Sequence, residues 1–202
     1  MCFDTLDAAI SQETRVFHIG SLALIEGADA DLWEERFATL ATNEVITSLD
    51  PNARPVVVKD KIPYVARLLR MMKHARVLKL SDEDLDYLAP DQPLMDGFEY
   101  ICSQTQAVII ILTKGADGAV VRCGSAQFEV AAAKANPLVD TVGAGDTFMG
   151  TLLVEISKTG LPASKLGSIT EDDLRRILAR AAKAAALNCQ SSGCNPPYEQ
   201  DL

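Results

Sequence analysis

Six consecutive apolar residues, Ala107-Val108-Ile109-Ile110-Ile111-Leu112, constrain this chain more than any other stretch. Val108 and the three isoleucines are β-branched, which favours a strand. No polar residue alternates with them, so both faces of that strand are expected to be buried. Strands of that kind belong to parallel sheets covered by helices. The rest of the chain supplies the partners, because segments of two periods alternate along it. Arg15–Leu24 reads as a strand running into a small-residue turn. Asp29–Ala41 has helical spacing through Leu32, Phe37 and Leu40. Val45–Leu49 is a short strand stopped by Asp50-Pro51-Asn52. Ile62–His74 reads as a helix and Arg76–Leu80 as a strand. Ser81 is placed to cap a short helix whose first turn carries Asp82, Glu83 and Asp84. Ala119–Cys123 and Ala126–Ala131 read as a hairpin turning at Gly124-Ser125. A helix opens at Gly143–Gly145 and runs to about Lys158. The last helix spans Glu171–Cys189, capped by Thr170 with Asp173 at the capping-box position. Its apolar face carries Leu174, Ile177, Leu178, Ala181 and Ala185. The expected class is α/β, a mostly parallel sheet flanked by helices, in one domain over residues 1–202 since no linker divides the chain.

Composition narrows the function. The 202 residues are 48% apolar and 23% charged, with a net charge of −9. Those fractions suit a packed globular chain and exclude a disordered one. An acidic chain without a basic stripe is not expected to bind nucleic acid or an anionic membrane. Cys2, Cys102, Cys123, Cys189 and Cys194 are scattered without a CxxC pair, so neither a disulfide framework nor a structural zinc site is expected. Met1-Cys2-Phe3-Asp4 lacks the basic and apolar regions of a leader, and no apolar run reaches membrane-spanning length. A cytoplasmic location is the expectation.

The chemistry is concentrated in Asp140-Thr141-Val142-Gly143-Ala144-Gly145-Asp146-Thr147-Phe148. Small residues leave the backbone bare where an apolar helix begins, and bare N–H groups there form an anion pocket. Asp146 lies in the first helical turn, where it can accept a proton. A phosphate cradle beside a base points to phosphoryl transfer to a hydroxyl. The alternative is a glycine-rich cap whose Asp146 interacts only with the helix dipole. A Walker loop is absent, and Phe148 stands where the dinucleotide fingerprint needs its last glycine.

These residues resemble the PfkB, or ribokinase-type, carbohydrate kinases, and among them the bacterial fructokinases. Residues 140–148 match the signature D-T-x-G-A-G-D-x-F throughout. His18-Ile19-Gly20-Ser21, Asp50-Pro51-Asn52-Ala53-Arg54-Pro55, Lys79-Leu80-Ser81, Thr113-Lys114-Gly115-Ala116-Asp117-Gly118 and Gly193-Cys194-Asn195-Pro196-Pro197 follow in the family's order. The resemblance spans about residues 14 to 197. It implies a ribokinase-like three-layer α/β/α fold, N-terminally truncated and lacking the β lid. It implies ATP-dependent phosphorylation of a sugar hydroxyl, with Asp146 as base and the amides of Gly143, Ala144 and Gly145 as the anion hole. Asp50, Asn52 and Arg54 would face substrate. Lys79, Ser81, Thr113, Gly115 and Gly118 would serve the nucleotide. Asp84 would stand in the family's metal-linked position, which usually holds Glu, and Asp140 would help organise a monovalent cation such as K⁺. Mg²⁺ would bridge the nucleotide phosphates, mostly through water. The implied partners are a small sugar and ATP, with a homodimer as the candidate assembly.

Simpler roles stand beside these. Arg54 could pair with a surface carboxylate, Lys79 could be a solvated strand-end lysine, and Thr113 could be a strand cap. Ser81 and Asp84 could be capping residues only, and His18 is read as a structural histidine. The family match begins about a third of the way into the family pattern. The chain could therefore be a nucleotide-binding remnant without catalysis. It could also be a kinase for 2-keto-3-deoxygluconate, ribose or a nucleoside.

Overall fold

The computed structural model describes residues 10, 11 and 13–202. Cys2 and the reading of Met1–Asp4 lie outside them. The chain forms two compact units. One runs to Leu112 and takes in Pro162–Gly167, and the other comprises Thr113–Leu161 and Ser168–Leu202.

The first unit is built on strands β1 (Val16–Gly20), β2 (Ile46–Asp50), β3 (Val77–Ser81) and β4 (Ile109–Thr113), side by side in that order. β1 pairs with β2 in parallel from Val16↔Ile46 to Gly20↔Asp50, and β2 pairs with β3 in parallel through Ser48↔Val77 and Leu49↔Leu78. The apolar run behaves as its composition demands: Ile109, Ile110, Ile111 and Leu112 are all 3% exposed or less. The helices between these strands are α1 (Ala28–Leu40), α2 (Lys61–Met72), α3 (Asp82–Leu88) and α4 (Leu94–Gln104). Phe37 of α1 and Tyr64, Leu68, Met71 and Met72 of α2 are buried. Glu34 of α1 bonds Arg70 at 2.6 Å and Arg67 at 3.1 Å, joining the outer faces of α1 and α2. Ser164 of the second segment donates its N–H to Glu44 at 3.1 Å, and Leu166 is buried.

Two differences from the sequence reading have physical causes. Strands β2 to β4 run one residue past the expected ends, into Asp50, Ser81 and Thr113. Apolarity stops where the side chains turn polar, but backbone pairing does not. Two helices, not one, separate β3 from β4. Pro90 and Pro93 end α3 and start α4 anew, and Pro93 is the N-cap of α4. Phe98 and Ile101 give α4 a buried face that Gly97 weakens as a sequence signal.

The second unit holds the hairpin β5 (Ala119–Cys123) and β6 (Ala126–Val130), antiparallel from Ala119↔Val130 to Cys123↔Ala126. Two long helices follow, α5 (Ala144–Lys158) and α6 (Glu171–Asn188). Thr170 caps α6 by accepting the Asp173 N–H at 3.1 Å, while the Asp173 carboxylate accepts the Thr170 hydroxyl. Leu174, Ile177, Leu178 and Ala181 are buried as expected, and Ala184 is buried more deeply than Ala185. Arg175 of α6 lies 4.2 Å over the Phe128 ring and donates to the Glu129 carbonyl at 2.8 Å, tying helix to hairpin. No helix among the described residues is long and apolar enough to cross a membrane.

Ile111→Ala tests the buried strand. It removes a side chain with no exposure, and is expected to cost ~2–5 kcal/mol in urea unfolding. A cost within 0.5 kcal/mol of zero, roughly that of a surface site, would contradict burial on both faces.

Candidate functional site

The second unit carries the glycine-rich loop. Gly143 takes φ 76° and ψ 2°, a left-handed conformation. A Cβ there would also stand 2.4 Å from Cys194 Sγ. Both facts require glycine. The Gly143 carbonyl accepts the Thr147 N–H at 2.8 Å and so begins α5, while the Ala144 N–H donates to the Thr141 carbonyl at 3.2 Å. The N–H groups of Gly143, Gly145 and Asp146 meet no acceptor among the described residues. They are the orphan donors of a helix N-terminus, at the positive end of its dipole. Of the three amides read as an anion hole, those of Gly143 and Gly145 are open and that of Ala144 is engaged in the turn. Asp146 is exposed in the first turn of α5. Its carboxylate makes no hydrogen bond or ion pair among the described residues, so both oxygens remain available to a hydroxyl.

Two side chains hold this loop against the C-terminal tail. Asp140 accepts the Val142 N–H at 3.1 Å and the Gly193 N–H at 2.8 Å. The Gly193 amide foremost, then that of Val142, holds the Asp140 carboxyl below its ordinary 3.8. Asn188, at the end of α6, is 0% exposed. It donates to the Val142 carbonyl at 2.7 Å and accepts the Asn195 N–H at 2.8 Å. Sequence reasoning missed Asn188. The available signal was its place on the buried stripe of α6, since a polar side chain on an apolar face must find partners.

The segment after β4 also lies in this unit. Lys114 donates its N–H to the Gly118 carbonyl at 2.7 Å and closes the loop around a turn at Gly115–Asp117. Gly118 has φ 83°, and a Cβ on it would meet the Val130 carbonyl at 2.2 Å. Thr113 is half-buried at the strand end. Cys102, Cys123, Cys189 and Cys194 form no disulfide among the described residues.

The first unit gathers the other polar residues at the carboxyl ends of β2 and β3. Lys79 is buried and its Nζ lies 2.9 Å from Asp50 Oδ2. It is therefore not the solvated strand-end lysine that was one of its readings. Asp84 is also buried. Its carboxylate accepts the Ala53 N–H at 2.6 Å, the Ser81 N–H at 2.8 Å and the Ser81 hydroxyl at 2.8 Å. Ser81 Oγ in turn accepts the Asp84 N–H at 3.0 Å, which completes a capping box. The pair thus caps α3 and anchors the loop after β2. Asn52 in that loop has φ 41°, a conformation that Asn tolerates better than most residues. Gly20 is needed for a different reason: a Cβ would stand 1.8 Å from the Asp50 carbonyl of the adjacent strand. Arg54 is exposed, bonds only the Asn52 and Ala53 carbonyls, and forms no ion pair among the described residues. His18 is exposed on β1 with Nδ1 at 3.1 Å from Ser48 Oγ. No group of three or more His, Cys, Asp or Glu side chains among the described residues is arranged to hold a metal.

Lys79→Met removes the lysine partner of a buried carboxylate. It is expected to cost ~3–5 kcal/mol in urea unfolding, and the double change with Asp50→Asn is expected to recover most of that. Equal loss in the single and double variants would show that the pair is not what holds this corner. Asp140 gives an acid signature. Its carboxyl is held low in the folded chain, so its contribution is complete above the ordinary value and fades as pH falls through the folded one. Asp140→Asn is expected to lower Tm at neutral pH and to flatten the fall in Tm as pH drops below the ordinary carboxylate range. An unchanged acid slope in thermal unfolding would remove Asp140 from this role.

Comparison with known proteins agrees with the arrangement. A family model described as pfkB family carbohydrate kinase matches residues 3–201. A fructokinase of Rhizobium leguminosarum bv. trifolii is 33% identical over 167 residues, covering 82% of this chain and 50% of the relative. The fructokinase of Xylella fastidiosa, solved with bound ATP, superposes with a TM-score of 0.79 at 26% identity, over 89% of this chain and 56% of that one. A fructokinase double mutant of Vibrio cholerae O395, solved with fructose, ADP and potassium ion, gives 0.77 at 26% identity, over 92% and 58%. The chain thus spans about half the length of the curated relatives it matches. With its glycine-rich loop, capped corner and α/β architecture all accounted for, the chain belongs to the pfkB family of carbohydrate kinases.

Proposed function

We propose that this chain carries the phosphoryl-transfer machinery of an ATP-dependent sugar kinase, with fructose as the foremost substrate. The observation that carries the reading is the unpartnered Asp146 carboxylate beside the open amides of Gly143 and Gly145 at the start of α5. Asp146 accepts the proton of the sugar hydroxyl as its oxygen attacks the γ-phosphorus of ATP, the bond to the β,γ-bridging oxygen breaks and ADP leaves. The Gly143 and Gly145 amides stabilise the charge on the transferred oxygens, and the Ala144 amide joins them when its turn bond yields. Thr113, Gly115 and Gly118 serve the nucleotide, with the loop they bound held closed by the Lys114 N–H on the Gly118 carbonyl. Arg54, whose guanidinium meets only carbonyls of its own loop, offers two parallel donors to phosphate oxygens. Asp50 and Asn52 serve the substrate side, Asp50 oriented by Lys79. Ser81 and Asp84 act by holding Ala53 and so the loop that bears Asn52 and Arg54.

The residues suit a phosphate-borne divalent ion better than a protein-ligated one, because no metal-holding cluster exists among the described residues. Mg²⁺ carried by the nucleotide would neutralise phosphate charge. K⁺, present in the Vibrio cholerae neighbour, would be held near Asp140, whose carboxylate keeps lone pairs beyond its two N–H bonds.

A second reading is nucleotide binding without catalysis, which needs only the open amides at the start of α5. Coupled ADP detection with fructose, ribose and 2-keto-3-deoxygluconate separates the two, beside calorimetric titration with ATP. Asp146→Asn is expected to reduce turnover by at least about a hundredfold while ATP binds as before. A variant as fast as the parent would remove Asp146 as the base. ATP binding with no ADP formed from any sugar would establish the second reading.

A further inference from the structure

We propose that Asn188 is a positioning residue of the anion loop: by holding the Val142 carbonyl it turns the Gly143 N–H toward the phosphate. The inference rests on the anion-loop reading above and adds the group that sets its geometry. In a planar trans peptide the C=O and the N–H point in opposite directions. Asn188 draws the Val142 carbonyl toward α6 with a bond of 2.7 Å. The Gly143 N–H of the same peptide therefore faces away from α6, and no described residue accepts it.

This peptide needs a clamp. Gly143 lacks the steric limits that restrain other residues, so the 142–143 peptide rotates at little cost unless a partner fixes it. Val142 is held from both sides, its N–H by Asp140 at 3.1 Å and its carbonyl by Asn188. The same two side chains grip the tail, Asp140 through the Gly193 N–H and Asn188 through the Asn195 N–H at 2.8 Å. Cys194, between those anchors, packs against Gly143. Asn188 is wholly buried, so water does not replace its bonds.

Asn188→Asp keeps the size and the acceptor for Asn195 but deletes the donor to Val142. Asn188→Leu also deletes the donor, at similar size and without a buried charge, and is used where the first variant does not fold. The first readout is the Val142 carbonyl carbon and Gly143 amide resonances of the ligand-free chain. Both are expected to move, and unmoved resonances overturn the proposal. The second is calorimetric titration with Mg·ATP and, separately, with adenosine, which has no phosphate. ATP affinity is expected to fall about tenfold, a factor worth ~1.4 kcal/mol, with adenosine affinity unchanged. Unchanged ATP affinity, or an equal loss for both ligands, overturns the positioning role. If the parent chain binds neither ligand, the kinase reading fails, and the resonances alone still decide whether Asn188 sets this peptide.

Discussion

A strand buried on both faces admits polar side chains only where they find partners, and most readily toward its ends. That constraint, imposed by Ile109–Leu112 and shared by the neighbouring strands, shapes the first unit. Its consequence is visible at the carboxyl ends of β2 and β3, where Asp50 and Lys79 meet at 2.9 Å and Ser81 turns the chain into α3. Buried charges of this kind are costly to bring together and more costly to separate, so the corner is stiff. Asp84 extends the stiffness by taking the Ala53 N–H, which anchors the loop carrying Asn52 and Arg54.

In the second unit a helix terminus does comparable work. Gly143 permits the abrupt start of α5, and the start leaves N–H groups without acceptors. A pocket of bare amides is useful only if its peptides do not rotate. Asp140 and Asn188 supply that rigidity by holding Val142 and the tail together. Asp146 itself makes no hydrogen bond or ion pair among the described residues.

Most of the architecture was legible in the chain because its signals are local. The apolar run, the Gly124-Ser125 hairpin turn, the Thr170 cap and the stripe of α6 each depend on neighbours a few residues apart. The glycine-rich loop was legible for the same reason. The Asp50–Lys79 pair was not, because its members are 29 positions apart and meet only through the β2/β3 register. Lys79 consequently had a solvated reading that burial removes. The engagement of Ala144 in a turn was hidden as well, since sequence shows a bare backbone but not where each N–H points.

The sequence by itself determined the alternation of strands and helices, the place where α5 begins, and membership of a carbohydrate-kinase family. The first two follow from residue type and short-range spacing, and the third from the resemblance of residues 140–148 and the other motifs to the family's signature. Tertiary structure alone decided which polar groups are engaged and which are open. It buried Lys79 against Asp50, filled the Asp84 carboxylate with N–H and hydroxyl donors, and set Asn188 behind Val142. The reason is that a buried hydrogen bond depends on distance and direction between groups far apart in the chain, and only the packed backbone defines either.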